Sequence, residues 1–316
     1  MQLIRGLHNI RPEHRHCVAT IGNFDGVHRG HRTILEALKQ QACESGSLVC
    51  VVTFEPQPRE FFQKEQAPPR LSSLREKWSL LNKCGVDQIL CLPFNDQLRR
   101  LTADDFVLKV LVDGLGIRYL IIGDDFRYGC DRNGGFEHLQ MMGERHGFEV
   151  CDTRTVVLEQ DRISSTRVRE ALACHRMDEA EQLLGRPFTM IGRVIKGQQL
   201  GRTLGFPTAN IRVCRRRLPL RGVFAVRVRV DGHCFDGNSL DGNSFDAVAN
   251  LGTRPSVNGI DPILEVHMLD FKGNLYNQTL RVEFVKKIRD EQKFESLDAL
   301  RAAIGKDIEA ARKILT

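Results

Sequence analysis

The stretch VATIGNFDGVHRGHRTILEALKQQA, residues 18–42, decides how the first half of the chain is read. A β-branched run enters a turn with glycines at 22, 26 and 30, and RTILEALKQQA (32–42) follows with apolar residues at helical spacing. Short apolar runs mark buried strands, and a 3.6-residue apolar period marks a helix. The alternation continues: SLVCVVTF (47–54), QILCLPF (88–94) and YLIIGDDF (119–126) read as strands, LREKWSLLNKCG (74–85) and ADDFVLKVLVDGLG (103–116) as helices. That order predicts a parallel sheet with crossover helices, an open Rossmann-like α/β fold.

Beyond Gly185-Arg186-Pro187 the pattern changes. FTMIGRVI (188–195), GVFAVRVRV (222–230), DAVANLG (246–252), PILEVHMLD (262–270) and LRVEFVKKI (280–288) follow one another as strands, and SLDALRAAIGKDIEAARKIL (296–315) closes the chain as one helix. A small antiparallel β-barrel with a terminal helix is expected, giving domains 1–185 and 186–316. DGNSLDGNS (236–244) repeats turn residues and reads as a lengthened hairpin loop without chemistry.

Composition sets the outer limits. A chain of 316 residues, 41% hydrophobic and 27% charged, exceeds one hydrophobic core and has globular balance. Its apolar runs are too short to span a bilayer, and it opens without a leader-like segment, so a soluble cytoplasmic protein with no membrane partner is expected. The ten cysteines include no C-x₂-C pair and are expected to be reduced, mostly buried thiols. Net charge is +6, and Arg215, Arg216 and Arg217 form the only tight basic triplet. Such a run is expected as a solvated loop; without interleaved aromatics, no nucleic acid partner is expected.

Open α/β sheets bind ligands at the carboxyl ends of their strands, where Gly22–His31 falls. Glycines allow close backbone approach, and the helix that follows offers free N–H groups to an anion. His28 and His31 are three apart, with Gly30 between them and no Cys or Glu at a matching distance, which disfavours the zinc-helix spacing of four. Helix capping or solvent exposure is the plainer alternative. The surrounding glycines favour hydrogen bonds to phosphate oxygens.

The Gly22–His31 segment resembles the signature loop of the nucleotidyltransferase superfamily in the form carried by bacterial FAD synthetases. IIGDDFRYGCDRNG (121–134) is similar to that family's G-x-D-F-x-F-G-x-x-R-x-G stretch, with Tyr128 at the second Phe. RISSTRVREALA (162–173) matches I-S-S-T-x-x-R. The resemblance implies an ATP and phosphate site at Gly22, Asn23, Phe24, Asp25, Gly30, Asp125, Arg162, Ser164, Ser165, Thr166 and Arg169, with His28 and His31 catalytic. Arg167 fills a variable position and is left out of the site, and Asp124 is equally readable as a turn residue. The implied reaction is attack of FMN's phosphate on the α-phosphorus of ATP, giving FAD and pyrophosphate without a covalent enzyme intermediate.

In the second half, GRVIKGQQLGRTLGFPTANI (192–211) has glycines but no G-x-x-x-x-G-K-[ST] phosphate loop. Thr208 and Asn210 are two apart and would share a side if extended, with oxygen donors suited to magnesium; alone they read as an ordinary turn. The segment resembles the G-R-G-R-x-L-G-F-P-T-A-N signature of riboflavin kinases. That implies Thr208 and Asn210 on Mg²⁺, the phosphate contacts Gly197, Gly201 and Arg202, with Lys196 as a substitute for an arginine contact missing at 198–200, and Glu265 as the base for the ribityl 5′-hydroxyl. Alternation along 262–270 puts Glu265, His267 and Leu269 on one face and Val266 and Met268 on the other.

AVANLGTRPSV, LYNQTLRVEFVKKIRDEQKF and the terminal helix match the kinase family in order, so the resemblance to the bifunctional flavin-synthesising enzymes runs over nearly the whole chain. It implies riboflavin, FMN and ATP as substrates, Mg²⁺ as cofactor, and flavin-requiring apoproteins as product acceptors. Departures fall at Gln198, Gln199 and Leu200, at Ser256 in place of Thr, and at Asn277 in place of Gly. The alternatives are a chain with one working module, or a flavin-binding regulator touching nucleic acid through the 215–217 arginines.

Overall fold

The computed structural model describes all residues except 124–125, 131, 153–156, 159–160, 198–203, 232–243 and 257–258, and is described for backbone alone at 157, 231, 254–256 and 259–261. Asp124, Asp125, Gly201, Arg202, Gln198 to Leu200 and most of the duplicated DGNS stretch therefore lie outside the described residues, as does the Ser256 side chain.

Two compact units form: Met1–Pro68 with Leu74–Ser165, and Pro69–Ser73 with Thr166–Thr316. The first contains strands β1 (Gln2–Arg5), β2 (Val18–Ile21), β3 (Val49–Glu55), β4 (Gln88–Pro93), β5 (Tyr119–Ile122) and β6 (Glu149–Asp152). They make one sheet in the order β1-β4-β3-β2-β5-β6, every pair parallel. The chain steps from β2 toward β3 and β4, then crosses back to β5 and β6. The strand order thus reverses between β2 and β5, the place where such sheets hold ligands.

The helices of this unit include α1 (Arg29–Ser45), α2 (Pro58–Gln63), α3 (Leu74–Lys83), α4 (Asp96–Arg99), α5 (Ala103–Phe106), which continues as a wider π-type helix over Val107–Leu115, and α6 (Phe136–His146). Apolar side chains on the two sheet faces form separate clusters. Ala19, Val52, Leu90 and Leu120 pack with Leu111 and Leu139, while Val18, Val51 and Ile89 pack with Leu35, Leu38 and Leu81. This is why the central strands read as continuous apolar runs. The short edge strand β1 and the strand β6, with few fully buried side chains, lack that signal and are not foreseen.

The second unit is a closed barrel in the order β10-β13-β12-β11-β14-β9. Its strands are β9 (Phe188–Ile195), β10 (Ala209–Arg212), β11 (Gly222–Asp231), β12 (Ser244–Ser256), β13 (Gly259–Met268) and β14 (Thr279–Arg289); the small hairpin of β7 (Val157–Leu158) and β8 (Asp161–Arg162) comes earlier in the chain and belongs to the first unit. Helices α7 (Ser165–Ala173) and α8 (Met177–Leu184) precede the barrel, and α9 (Leu297–Leu315) ends the chain. Helix α8 packs on β9 and β14, and α9 on β11, β12 and β14. Leu264, Val266 and Met268 are buried and alternate with Glu265 and His267.

Three expectations are corrected. Leu269 does not continue the outer face of Glu265 and His267: β13 ends at Met268, Asp270 turns with φ 57°, and Leu269 is buried. The basic triplet is not a uniformly solvated run, because Arg215 is buried with Nε donating to the Arg70 carbonyl (3.1 Å) and Nη2 to that of Leu71 (2.9 Å). The thiols are not mostly buried either: among the described cysteines Cys17, Cys50 and Cys91 are buried, whereas Cys43, Cys130, Cys174 and Cys214 are exposed.

Candidate active sites

In the first unit the turn after β2 is held in a conformation that side chains rarely adopt. Phe24 and Val27 have φ of 45° and 44°, and Gly26 has φ 83°. Left-handed backbone at an aromatic and a β-branched residue costs about 1–3 kcal/mol each and persists only where surroundings impose it. Here burial imposes it, since Phe24 is 2% and Val27 0% exposed. A Cβ at Gly30 would stand 3.3 Å from the His28 ring and 3.4 Å from the Ile163 carbonyl, so glycine lets these close together.

Helix α1 starts at Arg29, earlier than the apolar period suggests, which puts His31 in its first turn and His28 at its N-cap. His28 Nδ1 accepts the His31 backbone N–H (3.3 Å), so capping is part of its role, and the neutral ring carries its proton on Nε2. The two imidazoles stack with centroids 3.6 Å apart and planes 19° from parallel, and Phe24 closes on His31 at 4.8 Å. His28 is buried; His31 keeps some exposed surface, but its Nδ1 is buried without a hydrogen-bond partner among the described residues. Burial lowers the His31 pKa well below 6.5, with further lowering from His28 and Lys77.

Lys77 is a residue that the motifs do not reveal. It is 1% exposed and donates from Nζ to Thr53 Oγ1 (3.3 Å), whose hydroxyl reaches the Asn23 carbonyl (3.5 Å). A signal was available: Lys77 lies four residues before Leu81, on the inward stripe of α3. A cation at a core-facing position needs an anionic or polar reason.

The remaining residues of this site divide. Asp25 is buried, and its carbonyl accepts the Ser165 hydroxyl (2.9 Å), which ties the 162–165 segment to the loop. Gly22, Asn23 and Phe24 lie in that loop, Arg162 is exposed in β8, and Ser164 immediately precedes α7. Thr166 and Arg169 stand on α7, in the second unit, where Arg169 Nε donates to the Pro69 carbonyl (2.7 Å). Arg167, left out of the site, pairs with Glu179 at 3.3 Å. Tyr128 is buried and bonds through its hydroxyl to His138 Nδ1 (2.5 Å), which in turn meets Asp104 (2.6 Å). The extra oxygen at a Phe position thus has a partner.

In the barrel a cleft opens between the outer wall and α9. Thr208, Asn210, Asn250, Glu265 and His267 line it with Arg289, Glu291, Gln292 and Asp307, and Val223, Val248, Phe294, Leu300 and Ile304 add apolar surface. Thr208 precedes β10 and Asn210 is within it, so the segment that reads as a turn is a short strand with Asn210 opposite Glu265. Asn210 Oδ1 is buried without a partner among the described residues. Its amide lies against Gly197, where a Cβ would be 2.3 Å from Nδ2. A buried, unsatisfied hard oxygen beside Thr208 fits a magnesium ligand. Lys196 is exposed next to Gly197.

His267 and Asn250 are further residues that sequence reasoning gave no role. His267 Nδ1 lies 2.9 Å from the Pro207 carbonyl and its ring meets Phe206 edge-on at 5.7 Å, so it holds the two residues that precede Thr208. On the far wall, Arg289 forms a bidentate pair with buried Asp307 (2.8 and 2.7 Å), fastening α9 to β14. Asn277 has φ 66°, a left-handed position that glycine or asparagine suits, so this departure preserves the turn.

The fold and these constellations define a two-part transferase class, a nucleotide-binding α/β unit followed by a barrel kinase. Family models agree: FAD synthetase matches residues 10–167 and riboflavin kinase residues 184–315. Bifunctional riboflavin kinase/FMN adenylyltransferases are 54% identical in Pseudomonas fluorescens, over 99% of this chain and 98% of the relative, and 47% identical in Escherichia coli K12, over 99% and 97%. The chain belongs to the bifunctional riboflavin kinase/FMN adenylyltransferase family. A crystal structure described as a macrolide-efflux protein from Streptococcus pneumoniae superposes with TM-score 0.80 at 28% identity, covering 98% of each chain. Among the described residues of the present chain, no helix is long and apolar enough to cross a membrane.

Proposed function

We propose that the two activities of this family are divided between the units, riboflavin being phosphorylated in the barrel cleft and FMN adenylylated over the histidine loop. The chain is a riboflavin kinase and an FMN adenylyltransferase. In the kinase step Glu265 takes the proton of the ribityl 5′-hydroxyl, whose oxygen attacks the γ-phosphorus of ATP and expels ADP. Thr208 and Asn210 hold Mg²⁺, which screens phosphate charge when bound. Lys196, Gly197, Gly201 and Arg202 contact the phosphates.

In the second step a phosphate oxygen of FMN attacks the α-phosphorus of ATP and pyrophosphate leaves. His28, through its Nε2–H, and His31 donate to the phosphate oxygens on which charge grows, while Arg162, Ser164 and Ser165 position the nucleotide. FAD passes to flavin-requiring apoproteins in the cytoplasm.

The observation that carries the kinase assignment is the cleft. Its carboxylate-and-amide end suits a polyol chain, and its apolar walls suit a flat ring system. Incubation with riboflavin, ATP and Mg²⁺, followed by chromatographic separation of the flavins, yields FMN first and FAD later. A preparation forming neither overturns the reading.

A further inference from the structure

The barrel register puts five side chains in one row across adjacent strands. Asn210 faces Glu265, Glu265 faces Asn250, Asn250 faces Val223, and Val223 faces Arg289. Directly opposed residues share a face of a sheet, and all five line the same cleft. Glu265 therefore sits between two amides.

Asn210 and Asn250 each carry a buried Oδ1 without a hydrogen-bond partner among the described residues. An amide oxygen only accepts, as does an ionised carboxylate. The two amide oxygens therefore call for a cation or hydroxyl donors from a ligand. The two amides differ in their neighbours: Asn210 packs on Gly197 of the nucleotide loop, whereas Asn250 lies between Glu265 and Val223, with Val248 two residues away along the same strand face. One amide is on the Gly197 side of the carboxylate and the other on the side of Val223 and Val248.

We propose that Asn250 is a substrate-positioning residue whose Oδ1 accepts a hydrogen bond from a hydroxyl of the ribityl chain, next to the hydroxyl that Glu265 deprotonates. This rests on Glu265 being the base. Asn250 then selects flavins with a polyol arm and sets the distance from the 5′-oxygen to the carboxylate.

The test compares riboflavin with lumiflavin, which has the same ring system and no hydroxyls, by fluorescence titration of the full-length protein. Asn250→Leu raises the Kd for riboflavin about tenfold and leaves the Kd for lumiflavin unchanged, the loss expected for one hydrogen bond. Asn250→Ser, smaller and still polar, retains part of the preference and serves where leucine disturbs the barrel. FAD formation from added FMN stays at the wild-type rate in both variants. Equal weakening of both flavins, no weakening of either, or a raised Mg²⁺ requirement with unchanged riboflavin binding overturns the proposal. Wild-type FMN formation in the same preparations reports separately on the kinase activity itself.

Discussion

The histidine loop and the barrel row, which we propose each take a nucleoside triphosphate and a flavin, are made in opposite ways. The loop packs its chemistry into consecutive residues, Gly22 to His31, and obtains its shape from backbone held at positive φ by burial. The row draws on residues between 210 and 289 and obtains its shape from strand register. A contiguous site depends on local conformation, and a cross-strand site depends on the whole sheet.

The sharpest way to break this comparison is to remove each chemistry separately. His28→Ala with His31→Ala lowers FAD formation by about 10³-fold while FMN accumulates from riboflavin. Glu265→Gln lowers FMN formation by about 10²-fold or more and leaves FAD synthesis from added FMN unchanged. Steady-state rates of both steps in both variants are the measurement; loss of both steps from either change would contradict independent sites.

A smaller effect tests whether the row depends on its packing. In Gly197→Ala the new Cβ meets the Asn210 amide, so FMN formation falls about 10- to 100-fold with a higher KM for Mg-ATP. Riboflavin affinity does not change, because the displaced amide is on the Gly197 side of Glu265.

The smallest effect concerns the loop's electrostatics. Lys77 opposes protonation of His31, so Lys77→Met moves the His31 pKa upward toward 6.5, read from the imidazole resonance in an NMR pH titration. In the wild type the unfolded chain takes up this proton at about pH 6.5, while the folded chain resists it to lower pH. This group's contribution to stability therefore decreases as pH falls through 6.5, and Lys77→Met weakens that dependence.

Legibility followed the same division. The central strands β2 to β5 could be read because burial on both faces makes them continuously apolar, and the loop could be read because its glycines and histidines are adjacent. The family motifs supplied Thr208, Asn210 and Glu265 but not their geometry: that Asn210 and Asn250 flank Glu265 is a property of pairing, which no linear spacing records. Lys77 was missed because its charge hid an inward position on α3. Arg215 was misread for the converse reason, since a basic triplet gives no sign that one member bonds carbonyls near residue 70.

Register gives the kinase site a further property. A slip of one residue between β12 and β13 would bring Ala249 or Leu251 opposite Glu265 and turn Asn250 into the barrel interior. The site is consequently protected by the cooperativity of a closed sheet, which admits no fraying edge at which one member could drift from the others. Gradual loss of alignment is not open to it: the row of Asn210, Glu265 and Asn250 is lost when the barrel unfolds, and it reassembles with it.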